Sequence, residues 1–200
     1  MGILDLENQL SFYMAYHHNH VNILIHTICV PVILFTSFAL ASNTGSLLPA
    51  SLASAIDQSW IIRYFNLGVL ASLAYAIFYV LLDPIIGSIV LPVVIGSAVV
   101  FTDLIDQYAP LSNYVALILF VISWILQFVG HAAFEHRAPA LFDNLLQALV
   151  LAPFFVTFEI VFKFGFRQEL QARLNDRVQK RLREFNNAQR VATKPDQKQE

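Results

Sequence analysis

Six histidines fall in two groups that could meet at one metal ion. His17, His18, His20 and His26 lie at the entrance to the first long apolar run, and His131 and His136 at the exit of a later one. Neutral imidazole is the commonest metal ligand, and ionisable groups at a membrane boundary are costly unless they are used. His17 and His26 are nine residues apart, so on one helix turning about 100° per residue they would point to opposite sides. Between them, His18-Asn19-His20-Val21-Asn22 favours turns and caps, and Asn22 precedes Ile23-Leu24-Ile25 as an N-cap precedes a helix. The spacing predicts a break at 18–22, with an interfacial helix ending near His17 and the first span starting at Asn22. Only such a break lets the two rings converge.

In the second group His131 and Glu135 are four residues apart and share a helix face, so imidazole and carboxylate could ligate one ion. His136 is turned away by about a further 100° and is the weaker candidate, and Pro139 ends the helix nearby. Arg137 is the only basic residue between Arg63 and Lys163, and its guanidinium suits an anionic head group. The blander reading makes the histidines, Arg137 and the aromatic residues Tyr13, Tyr16 and Trp124 membrane-interface anchors. No compact HExxH-type signature is present, and His and Glu ligands allow iron and zinc alike.

The elements that must position these residues are apolar. The chain is 57% hydrophobic and 13% charged, the composition of an integral membrane protein. Apolar runs at 23–41, 61–82, 85–102 and 114–130 are each near the roughly 20 residues that cross a bilayer, which predicts an all-α bundle of about four transmembrane helices. Segment 145–166 is apolar but interrupted by Pro153, Glu159 and Lys163, and reads as re-entrant or interfacial, with Asp143-Asn144 capping it and Glu159 a snorkelling interfacial acid.

Ten of the twelve Lys and Arg lie from Lys163 onward, whereas the loops 42–60 and 102–113 have no basic residue and the second carries Asp103 and Asp106. The positive-inside rule then puts both termini in the cytosol, with both histidine groups on that face. Segment 166–190 has the stripe of an amphipathic basic helix suited to anionic lipid, and 191–200 reads as a disordered tail. Residues 1–190 therefore form one membrane-embedded domain. Cys29, the only cysteine, is read as a packed thiol. Asp5 and Glu7 argue against a removable signal sequence, and Leu6 against myristoylation at Gly2. No nucleic-acid partner is expected, and the oligomeric state is left open.

Residues 16–31, Y-H-H-N-H-V-N-I-L-I-H-T-I-C-V-P, and residues 127–156, Q-F-V-G-H-A-A-F-E-H-R-A-P-A-L-F-D-N-L-L-Q-A-L-V-L-A-P-F-F-V, resemble the endoplasmic reticulum 2-hydroxy fatty acid dioxygenase family of fungi. That family acts in fatty-acid α-oxidation during phytosphingosine breakdown. Its first block matches here at His17, Asn19, Asn22 and His26, and its second at His131, Glu135, Arg137 and Pro139. His20 and His136 depart from it, standing where proline and glycine are common.

The resemblance implies an Fe(II) enzyme of the endoplasmic reticulum membrane that cuts the C1–C2 bond of a long-chain 2-hydroxy acid with O2. The products are carbon dioxide, water and the acid one carbon shorter, a balance that needs no 2-oxoglutarate or pterin. It further implies His17, His26 and His131 as ligands, Glu135 as a fourth ligand or as an acceptor orienting an imidazole, and Arg137 as the residue steering the carboxylate, with Asn19 and Asn22 as substrate-binding residues. The competing class is a non-enzymatic membrane scaffold or lipid transporter with interfacial histidines; di-iron and haem readings are less suited to this inventory.

Overall fold

The computed structural model describes residues 2–56, 58–135 and 147–192. Its helices are α1 (Leu6–Tyr16), α2 (His20–Ser42), the short α3 (Ala50–Ala53) and α4 (Ser59–Tyr64), α5 (Leu67–Leu82), α6 (Pro84–Tyr108), α7 (Leu111–Gly130), α8 (Ala152–Lys163) and α9 (Gln168–Ala192). Single π-helical turns, His131–Glu135 and Gln147–Leu151, extend α7 and lead into α8. Among the described residues three helices are long and apolar enough to cross a membrane, His20–Ser42, Pro84–Tyr108 and α7 with its π turn, Leu111–Glu135, or four if the bent pair of α8 and α9 is one span. Leucine, isoleucine and valine are exposed in quantity along α5, α6 and α7, an apolar surface suited to lipid rather than water.

The break near His17 follows from capping chemistry. Asp5 opens α1 by accepting from the Asn8 N–H at 3.0 Å, and His17 is extended, outside the helix. The cap of α2 is Asn19, which accepts from the Val21 N–H at 2.8 Å, and not Asn22 as the spacing predicted. Asn22 lies one turn inside, fully buried, because its amide has a partner elsewhere.

The expected span 61–82 is two helices. Asn66, 1% exposed, breaks it by capping α5 at the Val69 N–H and donating to Thr102 Oγ1 at 3.2 Å. The remaining 16 residues of α5 rise about 24 Å, short of the roughly 30 Å hydrocarbon core. Likewise Asp103 and Asp106 are in the last turns of α6, not in a loop, and Arg63 of α4 pairs with them at 2.9 and 2.8 Å. At this end Ser42 meets Thr102 at 3.0 Å, and the Asn43 and Asn113 amides exchange hydrogen bonds of 2.8 and 2.9 Å.

At the other end α5 turns into α6 through Asp83 alone, which caps the Ile85 and Ile86 N–H groups ahead of Pro84 at the first helical position. The same carboxylate, nearly buried, pairs with Arg167 at 2.8 Å, between α8 and α9. Gly165 and Arg167 both have positive φ there (79° and 57°), which reverses the chain.

Segment 147–163, expected to be re-entrant or interfacial, forms with α9 a helix pair bent by 117°, the geometry of a broken span or of a re-entrant loop. Twelve residues of α8 rise only about 18 Å, too short to cross alone. Yet Phe154, Phe155 and Phe158 are wholly buried, and Phe154 stacks on Tyr79 at 4.6 Å. Pro153 stands in the first turn of α8, where its missing N–H costs nothing.

Helix α9 starts at Gln168 and reaches Ala192, so the expected tail begins inside it; residues 193–200 lie outside the described ones. Its stripe Leu170, Leu174 and Val178 is buried within the protein beside α1, not offered to lipid. Glu7 of α1 holds Arg173 and Arg177, each at 2.9 Å. Burying each of these apolar side chains contributes about 1.5–3 kcal/mol, against about 0–1 for each half-exposed ion pair, so the stripe dominates the docking. Leu174→Ala is therefore expected to cost about 2–5 kcal/mol and Arg173→Ala less than about 1, read by chemical denaturation in detergent.

Candidate metal centre

Three histidines from three segments converge. His17 ends α1's approach, His26 lies on α2, and His131 opens the π turn after α7. All three are buried, with one ligand nitrogen from each lying within 4.8 Å of the others. Ring centroids stand 4.4 Å apart for His17 and His26 and 4.9 Å for the other two pairs, all edge to face.

The hydrogen bonds fix the tautomers of two rings. His17 Nδ1 lies 2.8 Å from the Tyr13 carbonyl and His26 Nδ1 lies 2.9 Å from that of Asn22. A carbonyl can only accept, so both Nδ1 atoms carry the proton and both Nε2 atoms keep a lone pair. Backbone acceptors of this kind orient metal-binding imidazoles. Burial, with neighbouring His26 second, pushes the His17 pKa well below the usual imidazole value, so the ring stays neutral. His17 Nε2 and His131 Nδ1 are buried without partners. Orphaned lone pairs are costly in an interior, and a cation among the three rings would satisfy them. The donor set thus fits a metal ion, and three imidazoles leave other positions open to oxygen ligands.

Glu135 does not join this group. Its Oε1 instead accepts from the His18 N–H at 2.8 Å, the Asn19 N–H at 2.9 Å and Asn22 Nδ2 at 3.1 Å. Those are the free donors at the start of α2, where a carboxylate is favoured. The four-residue spacing predicts an α-helical face shared by Glu135 and His131, and the segment is instead a π turn. Asn19 caps α2 and the Asn22 amide donates to Glu135; neither side chain lines the adjoining cavity, and Asn22 Oδ1 is buried without a partner. Gly130 lets Asn22 approach, since a Cβ there would collide with its Oδ1. His18 and His20 are exposed and outside the cluster. Arg137, His136, Pro139, Asp143 and Asn144 lie outside the described residues. Cys29 is buried.

A cavity of about 400 Å³ opens from the triad between α2, α5, α7 and α8. It follows α2 from His26 to Ala41, fifteen residues or about 22 Å, and its walls are mainly apolar, including Leu34, Phe38, Phe120, Trp124 and Phe155. Tyr13 and Trp124 are cavity residues rather than belt anchors; Tyr13 is buried and stacked on His17 at 4.1 Å. Gln127 lines the same wall and was missed in the sequence. Both Tyr13 and Gln127 stand four residues before a cluster histidine, a helical spacing that could have revealed them.

The family model described as 2-hydroxy-palmitic acid dioxygenase Mpo1-like matches residues 3–164. The 2-hydroxy-palmitic acid dioxygenase MPO1 of Saccharomyces cerevisiae is 42% identical over 173 residues, covering 86% of this chain and 89% of the relative. No solved structure matches significantly.

Replacing Glu135 by Gln removes the charge from three hydrogen bonds, with an expected cost of about 1–3 kcal/mol in thermal unfolding. Gly130→Ala is expected to weaken metal binding at least about tenfold by pushing α7 from Asn22, read by equilibrium dialysis.

Proposed function

From the chain's membership of the Mpo1-like family, we propose that it is an Fe(II)-dependent dioxygenase converting long-chain 2-hydroxy fatty acids to acids one carbon shorter, carbon dioxide and water. The observation that carries the reading is the buried histidine triad, with two orphaned ring nitrogens, at the head of a long apolar cavity. His17, His26 and His131 would hold the iron. Ferrous iron, when bound, supplies the redox chemistry by which dioxygen cleaves the C1–C2 bond.

The chain's own residues do the rest. The Tyr13 and Asn22 carbonyls keep His17 and His26 in the tautomer that leaves Nε2 free. Glu135 fixes the joint carrying His17 against the one carrying His131, a positioning role, as are those of Asn19 and Asn22. Arg137 steers the substrate carboxylate. The apolar walls exclude water and keep the acyl chain out of it, which avoids about 0.8 kcal/mol per methylene. Three bonds of an extended chain span about 3.3–3.6 Å, so about 22 Å accommodates roughly 18 bonds, a long-chain acid.

Residues 1–190 act as one catalytic unit of the endoplasmic reticulum membrane with both termini cytosolic. The basic charge of α9 supports that orientation, because α9 packs on α1 at the triad end of the bundle.

Purified protein loaded anaerobically with Fe(II) is expected to turn 2-hydroxypalmitate and O2 into pentadecanoic acid, followed by mass spectrometry. Alanine at His17, His26 or His131 is expected to abolish both iron binding and product; product that survives all three substitutions would separate the activity from the triad, and iron-loaded wild type that forms no product would favour the scaffold or transporter class. Ala41→Trp, at the far end of the cavity, is expected to depress turnover of 2-hydroxypalmitate at least about tenfold relative to 2-hydroxylaurate.

A further inference from the structure

Beside the histidines, two buried hydrogen-bond donors lack partners, Tyr13 Oη and Gln127 Nε2. We propose that they receive the substrate's carboxylate, an inference that rests on the activity proposed above. Tyr13 comes from α1 and Gln127 from α7, so they reach the cavity from different walls. Each lies one helical turn before a histidine of the triad, His17 and His131 respectively. The Tyr13 ring is held between His17, at 4.1 Å, and Phe155, at 5.1 Å, so its hydroxyl has little freedom to seek another partner.

The chemistry selects the ligand group. Gln127 Nε2 can only donate, and the Tyr13 phenol has an O–H to donate as well. Their common partner is an acceptor, and a carboxylate offers about four lone-pair sites and the stronger, charge-assisted bond. The acyl chain has no polar atom to offer, so the acceptor is the acid's head. Among the described cavity residues these two neutral side chains are donors placed to meet the anion, beside the steering proposed for Arg137. Buried donors with no partner are destabilising on their own; a ligand that completes them is discriminated from one that does not.

The test compares wild type, Tyr13→Phe and Gln127→Met as iron-loaded, anaerobic proteins. Displacement of a fluorescent fatty acid measures the affinity of 2-hydroxypalmitate and of the vicinal diol that replaces its carboxylate by a carbinol. Each substitution is expected to weaken the acid about ten- to a hundredfold and the diol no more than about twofold. Iron stoichiometry should be unchanged and thermal stability equal or higher. Equal losses for acid and diol would assign both residues to packing, and unchanged acid affinity would remove them from recognition; either overturns the proposal. Wild type that turns over the acid while its variants bind it unchanged overturns this inference alone. Wild type that neither binds nor converts the acid overturns the activity with it.

Discussion

One carboxylate oxygen holds the centre together. Glu135 Oε1 takes three N–H donors from residues 18–22, more than a hundred positions earlier, and so clamps the end of α7 to the start of α2. Without that acceptor the free donors at the entrance to α2 would lose their shared protein partner. The joint carries His17 on one side and His26 on the other, and the residue that closes it lies four places after His131. The spatial relation of all three rings therefore depends on one ionic contact that touches none of them.

Irregular backbone is the second constraint. In hydrocarbon every carbonyl and N–H must be satisfied by protein. The turn that admits α8 is covered by the Tyr75 and Tyr79 hydroxyls, which donate to the Leu149 and Val150 carbonyls at 3.2 and 2.8 Å. Tyrosine suits this place because it brings an apolar ring and one donor. The two tyrosines of α5 thus satisfy the backbone of the segment that closes the cavity beside the triad.

Much of this was legible in the residues. The two histidine groups, the break between His17 and His26 and the apolar runs all follow from spacing and hydropathy. What the spacing could not supply was competition between polar groups. Asn19 and Asn22 are equally good caps, and only a distant glutamate decides that Asn19 caps while Asn22 turns inward. Asn66 looks incidental inside an apolar run until Thr102 gives it a partner. The α9 stripe reads the same whether lipid or α1 covers it, and Glu7 is too far away in sequence to indicate which. Placing Glu135 on one face with His131, as a ligand or as an acceptor orienting an imidazole, assumed an α-helical turn, and the π turn is not encoded by any periodicity of the sequence.

The pairing of α9 with α1 sets an order of assembly. His17 is the first ligand candidate to leave the ribosome, but the helix before it is braced by Leu170, Leu174 and Glu7's two arginines, all made after His26 and His131. The intermediate stretch delivers His26 and His131 to the membrane well before that brace exists. A nascent chain consequently holds all three imidazoles before it holds the brace, and the helix leading to His17 is secured only once residues 170–177 have been made.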